Sequence, residues 1–138
     1  MKNYLHTIEL AVRDYECDLQ GIVNNAVYQN YMEHARHELL KVKGLDFVAL
    51  HNSGIDPVLI HADISYHFSL KSGDQFIVAT NVELEGKARA IFRQDIFLKG
   101  HDKLLLRAAM TVITVKNGRA VRLPGEFLEK FHTPDSNL

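Results

Sequence analysis

The stretch AVYQNYMEHARHELLKVK, Ala26–Lys43, decides how the rest of the chain is read. Val27, Tyr28, Tyr31, Met32, Ala35, Leu39 and Val42 recur at three- and four-residue spacing, while Gln29, Asn30, Glu33, Arg36 and Lys41 fall mostly elsewhere; the spacing predicts an amphipathic helix. Asn24-Asn25 offers an N-cap before it and Gly44 a stop after it. Tyr28, Tyr31, Met32, Ala35, Leu39 and Leu40 spread around much of the circumference, consistent with burial on more than one side.

Working outward, Leu5–Val12 carries apolar residues that alternate from Ile8 on, as in a strand with one buried face. The stretch Asp14–Asn25 loses periodicity and reads as a loop leading into the helix. After irregular chain up to Pro57, the apolar residues Val58, Ile60, Ala62, Ile64, Tyr66, Phe68 and Leu70 alternate without a break, the strongest strand signal present. Leu59, His61, Asp63, Ser65, His67 and Ser69 form its mostly polar opposite face, open to solvent or to another subunit. Beyond the turn Lys71-Ser72-Gly73-Asp74, strands read as Gln75–Leu84, Ala88–Leu98 and Leu104–Val115. Turn signals at Glu85-Gly86, Lys99-Gly100 and Asn117-Gly118 make them an antiparallel meander. Glu126–Phe131 suggests a short helical turn and Thr133–Leu138 a frayed polar tail. One helix cannot cover five strands unless the sheet curls around it. The expected fold is therefore α+β, a single domain over 1–138 with one long central helix wrapped by a curved antiparallel sheet of about five strands.

Composition narrows the function. Net charge is −1 and the basic residues are scattered, which excludes the dense positive stripe of a nucleic-acid binder. The first residues alternate polar and apolar rather than forming a signal-peptide core, and no run reaches membrane-spanning length. Cys17 is the only cysteine, so no internal disulfide forms and a reducing cytoplasm is the expected compartment. No glycine-rich phosphate loop or nicotinamide fingerprint occurs, and no cofactor is expected. His61 and His67 are about 20 Å apart along an extended strand and cannot share a metal.

The segment Val12–Arg36, through Asp18, Gly21, Val23, Tyr28, Tyr31, Glu33, Ala35 and Arg36, resembles the signature of the 4-hydroxybenzoyl-CoA thioesterase family. The resemblance continues through Lys71-Ser72-Gly73-Asp74 and Gly118–Pro124. It implies the hot-dog fold, an acyl-CoA thioesterase activity, and pairing of subunits as a homodimer or homotetramer with the acyl pocket between them. The start of the long strand, Val58–His61, would then face the Asp18 loop of the second subunit. Many bacterial members carry an aromatic residue and a histidine where this chain has Asn24 and Asn25. The paired Asn is similar to the helix start of related acyl-ACP thioesterases, so the carrier stays open between CoA and acyl carrier protein.

Thioester hydrolysis needs an activated water or a carboxylate nucleophile and a stabiliser for the developing oxyanion. Asp18 meets the first need. A loop aspartate more commonly organises a turn; the resemblance favours catalysis. Unpaired N–H groups at the helix start, Val23, Asn24 and Asn25, are candidate oxyanion donors. The Asn25 side chain is a second catalytic candidate, although either Asn24 or Asn25 also serves as the cap. Tyr28 sits at core spacing with a pocket wall as its other reading, and Val58 and Ile60 are candidate acyl contacts. Lys71 and Arg89, near strand ends, are candidates for the phosphates of CoA. Glu33 is expected to pair with Arg36 or His37. A non-catalytic acyl-thioester-binding module is the rival from another functional class.

Overall fold

The strands before and after the long helix lie on opposite edges of a single sheet. In the computed structural model, which describes residues 3–131, β1 (His6–Ala11) leads through a 3₁₀ turn at Asp14–Glu16 into α1 (Asn25–Val42). α2 (Phe47–Asn52) and β2 (Ile55–Tyr66) follow, then β3 (Gln75–Glu85), β4 (Arg89–Leu98), β5 (Leu104–Lys116), β6 (Arg119–Val121) and α3 (Gly125–Lys130). All pairings are antiparallel, in the order β1-β3-β4-β5-β2 with β6 on β5. This is the expected hot-dog architecture, with a short sixth strand added by the two-residue turn Asn117-Gly118 that pairs Lys116 with Arg119. The tail expected over Thr133–Leu138 lies outside the described residues.

Tight turns keep β3, β4 and β5 adjacent, and α1 packs on the face they share. Its N-terminus is capped by Asn24, whose Oδ1 accepts the Ala26 N–H at 3.1 Å. At its C-terminus the Gly44 N–H donates to Lys41 O and the Leu45 N–H to Leu40 O, each at 2.9 Å, a Schellman closure. That closure needs φ +77° at Gly44, a conformation open to glycine. The buried face of α1, including Tyr31, Met32, Ala35 and Leu39, joins Phe76, Val78, Phe92, Ile96, Leu106 and Met110 in one core. Burying a side chain such as Met32 or Leu39 contributes about 1.5–3 kcal/mol, which makes this stripe the main attachment of helix to sheet.

Three features depart from the sequence reading. The irregular stretch before Pro57 contains α2, started by Asp46, whose Oδ1 accepts the Val48 and Ala49 N–H groups at 2.9 and 3.2 Å. Six residues are too few to show a period. β2 ends at Tyr66, so Phe68 and Leu70 belong to the connection after it. Most consequential is a bulge: Leu59 pairs with Val112 but His61 with Thr111, leaving Ile60 as the extra residue. Leu59, rather than Val58 or Ile60, therefore lies beside Val112 on the helix side, ahead of Ala62, Ile64 and Tyr66 opposite Met110, Ala108 and Leu106. β2 is an edge strand, and Val58, Leu59, Ile60 and Tyr66 are exposed.

Candidate active site

The loop between β1 and α1 doubles back and is clamped to the turn that follows β2. Cys17 bridges Val23, and the Asp18 N–H donates to Ile22 O at 2.9 Å, closing a small hairpin. Gly21 lies at its tip with φ +80° and donates its N–H to Asp18 O at 3.0 Å. Ile22 bridges Lys71, the Val23 N–H donates to Leu70 O at 2.9 Å, and the Leu70 N–H donates to the Tyr28 hydroxyl at 2.9 Å. Glu16 is a second anchor, its Oε1 accepting the Tyr31 hydroxyl at 2.9 Å and the Arg13 N–H at 2.8 Å. Burial, reinforced by the Glu16 carboxylate, holds the Tyr31 hydroxyl well above its ordinary pKa. The sequence places Tyr31 on the core face of the helix but gives no sign of Glu16 or of their pairing, which is a tertiary contact.

Asp18 is exposed at the rim of this hairpin. Its Oδ1 accepts the Gln20 N–H at 2.8 Å and the Ile22 N–H at 3.4 Å, whereas Oδ2 has no hydrogen-bond partner among the described residues. The turn-forming bonds thus fall to one oxygen of the carboxylate and leave the other without a partner among the described residues. The Asn24 N–H donates to Glu16 O at 3.1 Å, so the hairpin joins the helix start directly. Asp18 is two ladder positions beyond Glu16, about 7 Å of extended chain.

The expected oxyanion donors reduce to one. The Val23 and Asn24 N–H groups are engaged by Leu70 O and Glu16 O, acceptors that tertiary folding brings in. Asn24 is the cap. Asn25, the first helical residue, keeps an exposed side chain and an N–H without an acceptor among the described residues. Lys71 joins the site through its bridge to Ile22. Tyr28 does not line it: the residue is 2% exposed, its hydroxyl is held by Leu70, and its ring meets Tyr66 edge-on at 5.6 Å. Arg89 pairs with Glu85 at 3.9 Å at the far end of β4, about 30 Å of strand from Leu98 and the Asp18 end of the sheet. Val58 and Ile60 lie on the half of β2 remote from the loop. Glu33 forms no ion pair with Arg36 or His37 among the described residues. No helix among those residues is long and apolar enough to cross a membrane.

Residues 12–131 match the family model described as the thioesterase-like superfamily. The chain is 36% identical over 127 residues to acyl-acyl carrier protein thioesterase ATL3, chloroplastic, of Arabidopsis thaliana, which covers 91% of this chain and 67% of that protein. It is 28% identical over 126 residues to the long-chain acyl-CoA thioesterase FadM of Escherichia coli, covering 88% and 93% of the two. Among solved structures, a hypothetical protein from Aquifex aeolicus superimposes with a TM-score of 0.84 at 33% identity, covering 90% of this chain and 97% of that one. The chain belongs to the thioesterase-like superfamily and is a thioester hydrolase.

Proposed function

We propose that the protein hydrolyses an acyl-CoA thioester to the free acid and CoA, with Asp18 as base or nucleophile and the head of α1 polarising the carbonyl. The observation that carries this reading is that the Asp18 Oδ2 and the Asn25 N–H are both without partners among the described residues, on a hairpin and a helix start joined by the Asn24 N–H bond to Glu16 O. In the base route, water forms the new bond to the acyl carbon and gives its proton to Asp18. Negative charge gathers on the carbonyl oxygen, where the Asn25 N–H and the positive end of the helix favour it. The C–S bond then breaks, the electron pair leaves on sulfur, and the thiolate takes up a proton. In the nucleophile route Asp18 forms an anhydride with the acyl group, expels the thiolate, and water cleaves the anhydride to the same products. Asp18→Asn tests both: its amide oxygen can still accept the Gln20 N–H, so the fold should survive, while turnover falls by about 10²–10⁴-fold. Retained turnover in a folded variant sinks the assignment.

Lys71 can meet the CoA phosphates from within the same chain. Val58, Ile60 and Arg89 reach an Asp18 site only if a second copy supplies them. Two β2 edges paired antiparallel would set the start of one strand, Val58–His61, beside the Asp18 loop of the other copy and cover apolar groups now 38–45% exposed. The expected assembly is a homodimer, or a tetramer of two such pairs. Sedimentation of the wild type and of Ile60→Asp tests it, the variant losing both association and turnover.

Acyl carrier protein is the second reading for the carrier. Asn24-Asn25 favours it, as does the higher identity to ATL3, 36% against 28% to FadM. Values of kcat/KM for one acyl group on both carriers decide between them.

A further inference from the structure

A cavity of about 160 Å³ opens between α1, α2, the start of β2, β5 and the segment around α3. Its walls are largely apolar, with Leu40, Phe47, Leu59, Phe92, Val112 and Phe127 among them. Apolar cavities of about 150 Å³ hold a benzene ring, so there is room for a six-carbon group.

Among the charged residues of the wall, Arg36 is the buried one. Arg36 is only 9% exposed, yet it forms no ion pair among the described residues. Its guanidinium makes a single hydrogen bond there, Nη1 to Gln94 Oε1 at 3.1 Å, and lies 6.0 Å from the centre of the Phe92 ring. The amide nitrogen of Gln94 is itself engaged, donating to Met32 O and Thr80 Oγ1 at 3.0 and 3.2 Å. Neutral Gln94 therefore offers Arg36 one acceptor and no counter-charge, and most of the five guanidinium donors have no acceptor among the described residues. Every fully buried side-chain nitrogen and oxygen among the described residues has a partner, and the Glu33 carboxylate three residues earlier supports the Arg36 charge without forming an ion pair, so the remaining guanidinium donors are open to solvent; an acceptor entering the pocket would meet a charged donor there. Glu33, Asp46 and Glu126 also border the pocket, against His37 as the other basic group. Their charge disfavours an anion, and Asp46 is already occupied capping α2. The complementary group is a neutral oxygen on an apolar body.

The pocket lies on a direct line from the candidate active site. Asn25, Gln29, Glu33, Arg36 and Leu40 follow one stripe of α1. From Asn25 to Arg36 the helix rises about 16 Å. An extended alkyl chain spans that with roughly a dozen carbons, given bonds of about 1.5 Å at near-tetrahedral angles.

We propose that this pocket takes the far part of the acyl group and that Arg36 donates to a hydroxyl or keto oxygen there. The preferred substrates are then long acyl thioesters oxygenated far from the thioester. The delivery of that group rests on the hydrolase reading above; the affinity of the pocket for a neutral oxygen does not.

The test titrates the protein with cyclohexanone, with methylenecyclohexane as the same shape lacking oxygen, and with hexanoate, following the Arg36 Nε–H and backbone amides by NMR. Cyclohexanone is expected to shift Arg36 and residues around Leu123–Phe127 and to bind at least about tenfold more tightly than methylenecyclohexane, the scale of a charged hydrogen bond. Arg36→Met, checked for folding by circular dichroism, should make the two rings equal. If that variant does not fold, Leu50→Trp on α2, away from the β2 edge, should exclude cyclohexanone instead. Equal affinity in the wild type, shifts outside the pocket, or tighter binding of hexanoate overturns the inference. In the kinetic arm, a long acyl-CoA hydroxylated near its far end should exceed the unsubstituted chain about tenfold in kcat/KM. Equal kcat/KM without cyclohexanone binding overturns the pocket and leaves the hydrolase reading. Cyclohexanone binding without turnover of any thioester upholds the pocket and sinks the hydrolase reading.

Discussion

Asn24 and Asn25 are chemically identical neighbours with different surroundings, and truncating each to alanine should move stability and turnover in different ways. Asn24→Ala removes the 3.1 Å bond from the Ala26 N–H to the cap oxygen. Loss of an Asn cap costs about 1 kcal/mol. With an unfolding entropy of about 2.1 cal/mol/K per residue, a chain of this length should lose about 3 °C in Tm. Asn25→Ala removes no side-chain hydrogen bond formed among the described residues and places the best helix former at an exposed first-turn position, so stability should hold or rise by up to about 0.7 kcal/mol. Its cost should appear in chemistry instead. If the Asn25 side chain meets the carbonyl oxygen, turnover should fall by about 10²-fold, the lower range for losing one oxyanion donor. Thermal melts by circular dichroism and release of free thiol from an acyl-CoA, read with a thiol reagent, give both numbers on the same samples. A lowered Tm with intact turnover in Asn25→Ala would refute the assignment and reduce that residue to part of the cap.

Tyr31→Phe deletes the 2.9 Å bond to Glu16 and should cost about 1 kcal/mol by urea unfolding, with a further loss of turnover as the Asp18 hairpin loses its tie to α1. Tyr4 donates to Asp95 Oδ2 at 2.6 Å, and burial together with that carboxylate pushes its pKa from 10.0 up to about 12. The folded value is the higher one, so the stabilisation is complete below pH 10 and is lost as pH rises from 10 through 12. Urea midpoints should fall across that window, about 1 kcal/mol of the fall coming from Tyr4 after allowance for solvent screening and the rest including Tyr28 and Tyr31, which burial also raises; Tyr4→Phe should remove the Tyr4 share alone. Met32→Ala, at a residue with 0% exposure, should cost about 2–5 kcal/mol in the same unfolding assay through the cavity it leaves.

What the sequence made legible follows the range of the interactions involved. α1 and β3 to β5 each extend for ten residues or more, long enough for a period to show, and each is where the spacing predicts. α2 has six residues and shows none. The bulge at Ile60 is invisible for a different reason: Val58, Leu59 and Ile60 are all apolar, so the pattern cannot say which of them faces the helix, and only the pairing with β5 decides. The site divides in the same way. The place of Asp18 in an exposed loop before α1 is readable locally, whereas the engagement of the Val23 and Asn24 N–H groups depends on carbonyls of Leu70 and Glu16. Arg36 did carry a local signal, a charge among core positions between Met32 and Leu39, but the Gln94 that meets it is 58 residues away.

Within one chain Arg89 lies about 30 Å of strand from the Asp18 end of the sheet, and Val58 and Ile60 lie about 26 and 20 Å before the end of β2 at Tyr66, farther than a rotamer change spans. The two halves of the expected site are compatible only if two β2 edges run antiparallel, which sets the remote half of one strand against the near half of the other. The Asp18 carboxylate and the Asn25 N–H do not depend on that assembly, but the three remote residues do. A monomer with full turnover would therefore leave Asp18 in place and remove Val58, Ile60 and Arg89 from the site altogether.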